Sequence, residues 1–66
     1  MAREQALDEL RSGQPVSAGG RWDGWVNAIF EAALAEGLNV ALIDHDGLAL
    51  EVIPCSPEER GSTRFR

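Results

Sequence analysis

The chain has 66 residues, 44% of them hydrophobic, with 11 Asp and Glu against 6 basic residues, and a formal net charge of −5 at pH 7. That length allows one domain burying only about 60% of its unfolded surface, and the apolar content argues against disorder. An apolar run approaching ~18 residues is missing, which excludes a membrane-spanning helix, and the carboxylate surplus argues against direct binding to nucleic acid.

Residues 2–12 read as a first helix. Ala2, Ala6, Leu7 and Leu10 share one face, and Gly13 is a natural stop. Arg3 opposes the helix dipole, whereas Arg11 favours it and has Asp8 one turn away. The thin apolar stripe means this helix holds by docking Leu7 and Leu10 on the rest. The charged start MAREQALDEL lacks a signal-peptide apolar region, so a cytoplasmic location is expected.

Residues 13–21, GQPVSAGGR, read as a connector, because Pro15 and the Gly19-Gly20 pair oppose regular structure. The glycines do not make a phosphate loop. No Lys-Ser or Lys-Thr follows them, and no strand is expected before them.

Residues 22–36 carry the clearest helical period. Trp22, Trp25, Val26, Ile29, Phe30, Ala33 and Leu34 fall on one broad arc, with Asn27 and Glu31 opposite. Asp23 is the expected N-cap. Gly37 closes the helix in the left-handed conformation. The two Trp residues suggest a partner-binding hot spot, but their spacing is that of a core face.

Residues 38–43 and 48–53 read as two strands around a turn. A three-residue loop, His45-Asp46-Gly47, sets Leu42 opposite Leu50 and Val40 opposite Val52. Leu38 and Leu48 complete a wholly apolar face that packs on the Trp helix. Asn39, Ala41, Ile43, Ala49, Glu51 and Ile53 form a mixed second face, exposed or covered by another element. Asp44-His45-Asp46 lacks the alternating oxygen ligands and distal Glu of a calcium loop, and reads as a polar hairpin tip.

Residues 54–66 are a tail. Pro57-Glu58-Glu59-Arg60 fits a single helical turn capped by Ser56 and ended by Gly61, after which Arg64, Phe65 and Arg66 are frayed or pinned by Phe65. The expected architecture is α+β: two helices packed on one face of a two-stranded antiparallel hairpin, in the order α-α-β-β, with room for a short C-terminal element.

Catalytic candidates are sparse. Cys55 with His45 as base is the nearest thing to a nucleophile pair, and no further catalytic group accompanies it. One Cys and one His cannot fill a structural zinc site within a monomer. No enzyme activity, cofactor or metal is expected.

The charge pattern is more informative. The basic residues are all Arg, at positions 3, 11, 21, 60, 64 and 66. Between Trp22 and Glu59 stand eight carboxylates (Asp23, Glu31, Glu36, Asp44, Asp46, Glu51, Glu58 and Glu59) against no Lys or Arg, a formal −8. Such a surface repels nucleic acid and attracts basic clefts. Carboxylates on a compact scaffold can take the place of DNA phosphates on the Arg and Lys of a DNA-binding protein. The expected partner-binding residues are Glu31, Glu36, Asp44, Asp46 and Glu51.

A very short, acidic, motif-free α+β chain with this −8 block resembles the small anti-CRISPR proteins encoded by phages and mobile elements, particularly those acting on type I interference complexes. The resemblance implies non-enzymatic blockade of the target-DNA or PAM-reading groove of a surveillance complex. It transfers no residues by motif, and the terminal arginines depart from a uniformly acidic mimic. The alternative is a structural or adaptor module that homodimerises, or binds a partner, through an exposed hairpin edge.

Overall fold

The computed structural model describes residues 3–19, 23–45 and 49–65. The chain runs α1 (Arg3–Arg11), β1 (Val16–Gly19), α2 (Asp23–Ala35), β2 (Val40–Asp44), β3 (Ala49–Pro54), a 3-10 turn (Pro57–Glu59) and β4 (Thr63–Phe65). The class is α+β as expected, but the sheet has four strands in the order β1-β3-β2-β4. β1 and β2 both run antiparallel to β3, and β4 runs parallel to β2, so the sheet is mixed.

Both helices pack on one face of this sheet. Ala6, Leu7 and Leu10 of α1 and Val26, Ile29, Phe30 and Ala33 of α2 are buried in one cluster with Val16, Val40, Leu42, Leu50 and Val52. Each large side chain there contributes roughly 1.5–3 kcal/mol by leaving water. Trp25 and Leu34 pack against this cluster half-buried. Trp22 lies outside the described residues.

The helix ends follow from glycine. Gly37 has φ +86°, the Leu38 N–H donates to the Ala33 carbonyl at 3.0 Å, and the Gly37 N–H donates to that of Leu34 at 2.9 Å. This is the Schellman closure, which needs the left-handed backbone that glycine adopts without a Cβ clash. Gly13 repeats it at the end of α1, with φ +85° and bonds from Gln14 to Glu9 and from Gly13 to Leu10. α2 begins at Asp23, whose capping role and side chain lie outside the described residues.

Three expectations are corrected. The connector contains β1, because Val16 turns into the core and the stretch pairs with β3; Pro15 just precedes it, at a sheet edge where a missing N–H costs nothing. The tail contains β4, and Phe65 does not pin it. Ser56 precedes the 3-10 turn without making a side-chain cap bond.

The hairpin register is also displaced. Leu42 lies opposite Val52 and Val40 opposite Pro54, and the His45 N–H donates to the Ala49 carbonyl at 2.9 Å. Relative to the expected pairing this is a slip of two residues. A slip of two keeps every side chain on its face, so the same apolar set meets the helices. The loop residues Asp46, Gly47 and Leu48 lie outside the described residues. β2 is buried from Val40 to Ile43, and its two edges are taken by β3 and β4.

Candidate functional site

Cross-strand register decides where each carboxylate points. One row across the sheet reads Ser17, Glu51, Ile43, Arg64; the next reads Ala18, Leu50, Asp44, Phe65. Leu50 belongs to the core, so Asp44 lies on the helix side and Glu51 on the opposite face. Glu31 and Glu36 are exposed on and just after α2, in the helix layer. Asp46 lies outside the described residues. The four described carboxylates do not gather into one patch.

Some of them have partners within the protein. Glu36 accepts from Arg11, which also donates to Asp8, so one guanidinium links α1 to the end of α2. The Glu36 hydrogen bond does most to raise the Arg11 pKa above its ordinary value; partial desolvation opposes it, and Asp8 adds to the rise. Glu51 lies 3.1 Å from His45 Nε2, with both side chains partly exposed.

Arg60 and Arg64 also turn onto the protein. Arg64 pairs with Glu59. Arg60 donates Nε–H to the Leu38 carbonyl at 3.2 Å and a second N–H to the Leu34 carbonyl, so it satisfies acceptors left over at the end of α2. Sequence reading left the role of these arginines open. The structure gives them internal duties, and the only hint of this in the sequence was Asp8 one turn before Arg11.

His45 and Cys55 stand at opposite ends of the hairpin. His45 is at the loop end, while the Cys55 N–H donates to the Asn39 carbonyl beside the start of β2. Six residues of strand separate the two ends, roughly 20 Å, so a thiol–imidazole pair does not form. Among the described residues no helix is long and apolar enough to cross a membrane. Comparison with protein-family models, curated proteins and solved structures finds no match for this chain.

Proposed function

We propose that this chain is a non-enzymatic inhibitor that docks by an acidic surface into a basic, nucleic-acid-binding groove of a partner and keeps target DNA out of it. The observation that carries the reading is the fate of three of the six arginines. Arg11, Arg60 and Arg64 are bound to the protein's own carboxylates and carbonyls, while Glu31 stands exposed on α2 and the formal charge is −5.

Geometry narrows the docking surface. The molecule is 17 Å across its thinnest dimension, whereas exposed charges are screened over about 8 Å at physiological ionic strength. A partner on the helix side therefore senses Glu31 strongly, Glu36 less because Arg11 offsets it, and Glu51 weakly. The reading rests on the helix layer, with Asp44 at the sheet margin.

A type I CRISPR surveillance complex is the partner that the resemblance suggests; small size and acidity are its support. The test is target-duplex binding by such a complex, followed by fluorescence anisotropy. The protein should release the duplex, and Glu31→Lys with Glu36→Lys should abolish release. Duplex binding unaffected by the protein rejects this partner.

An adaptor acting through the hairpin has less support. Within a single copy both outer edges of the hairpin are paired, β3 by β1 and β2 by β4, so neither is open to an added strand unless its own partner leaves. Ile43, on the mixed face of the hairpin, is 1% exposed and offers a partner almost no surface.

A further inference from the structure

We infer that the C-terminal segment from Ser56 to Phe65 is an exchangeable strap: it lifts from the edge of β2, and the same segment of a second copy takes its place. This stands apart from the acidic-docking reading and does not depend on it.

The strap places no side chain in the buried core. Thr63, Arg64 and Phe65 are all exposed, and among the described residues nothing beyond Val52 belongs to the buried core. Its attachments include the parallel ladder of β4 on β2, the Leu42 N–H to the Ser62 carbonyl and the Gly61 N–H to the Val40 carbonyl, both 2.9 Å, and the Arg60 bonds to the end of α2. Lifting it removes no core side chain.

The strap also keeps its own shape. Glu59 pairs with Arg64, the Ser62 hydroxyl donates to the Glu59 carbonyl at 2.7 Å, the Ser62 N–H donates to that same carbonyl at 3.0 Å, and the Glu59 N–H donates to that of Ser56 at 3.0 Å. All of these lie within the segment, so they persist whichever copy it docks on. A second copy offers an identical β2 edge with identical acceptors and donors. That identity makes a second copy the natural occupant, and exchange of an identical element is a low-cost route to a dimer.

The hinge suits exchange. Pro54 and Pro57 bracket Cys55 and Ser56, and Ser56 is extended at φ −73°, ψ 158°, as a residue before proline prefers. The Cys55 N–H remains on Asn39, which sets the pivot beyond it. An uncovered β2 would be a bare edge on a strand buried from Val40 to Ile43, which favours re-pairing over staying open.

The full-length chain tests this directly. The Leu42 amide donates into β4, and by strand alternation the Ile43 amide points to β3. Hydrogen exchange at Leu42 should be roughly ten-fold or more faster than at Ile43, because the strap opens without the sheet. Light scattering across rising protein concentration should show dimer, and Arg60→Ala should increase the Leu42 exchange and speed the mixing of chains between dimers. In a dimer mixed from isotope-labelled and unlabelled chains, contacts between Val40 and Gly61 should cross between copies. Equal exchange at Leu42 and Ile43, a monomer at every concentration, or contacts confined within one copy would each overturn the proposal.

Discussion

Arg11 on α1 and Glu36 at the end of α2 form an ion pair across 25 residues of sequence. The pair pins the two helices where each terminates in its glycine turn. It also takes one of the candidate docking carboxylates partly out of service. Both side chains are more than a third exposed, so solvent screening leaves the pair contributing little to the fold. Arg11→Met should cost that little in urea unfolding while it frees Glu36 and Asp8. Affinity for a basic partner should then rise; unchanged affinity would mean that Glu36 takes no part in docking.

The two kinds of glycine should respond in opposite directions. Gly37 needs a positive φ, and nothing lies within 4 Å of a Cβ built there, so backbone strain is the whole penalty. Gly37→Ala should lose roughly 1–2 kcal/mol. Gly24 sits in the first turn of α2 in open space without a positive φ, and Gly24→Ala should gain up to about 1 kcal/mol. Urea midpoints of the two variants should fall on either side of the parent.

Packing predicts a contrast between the two phenylalanines. Phe30 is in the core and Phe65 is exposed. Phe30→Ala should lose about 3–5 kcal/mol, enough to unfold a chain of this size. Phe65→Ala should change monomer stability by no more than about 0.5 kcal/mol. Circular dichroism of the two variants at room temperature suffices to separate them.

The legible parts of the sequence were those with a long period. Trp25, Val26, Ile29, Phe30, Ala33 and Leu34 recur at helical spacing over α2, and all pack in or against the core. The alternation around Val40, Leu42, Leu50 and Val52 located the buried face of the hairpin. The displaced register was hidden, because two registers that differ by two residues bury the same side chains. β1 and β4 have four and three residues, too few to establish a period; their strand character comes from pairing with β3 and β2 rather than from propensity. The carboxylates could be counted but not placed. Their partition across the sheet depends on register, and the Arg11–Glu36 and Arg60–Leu38 contacts join elements that the sequence does not show to be neighbours.

The docking claim is tested most directly by capture and competition. Immobilised full-length protein is exposed to a host lysate at low salt, and the retained proteins are challenged with excess duplex DNA and, separately, with about 1 M salt, where screening acts within about 3 Å. The account predicts a retained DNA-binding protein that both challenges release and that Glu31→Lys with Glu36→Lys fails to capture. A retained partner indifferent to DNA, to salt and to those reversals would contradict it.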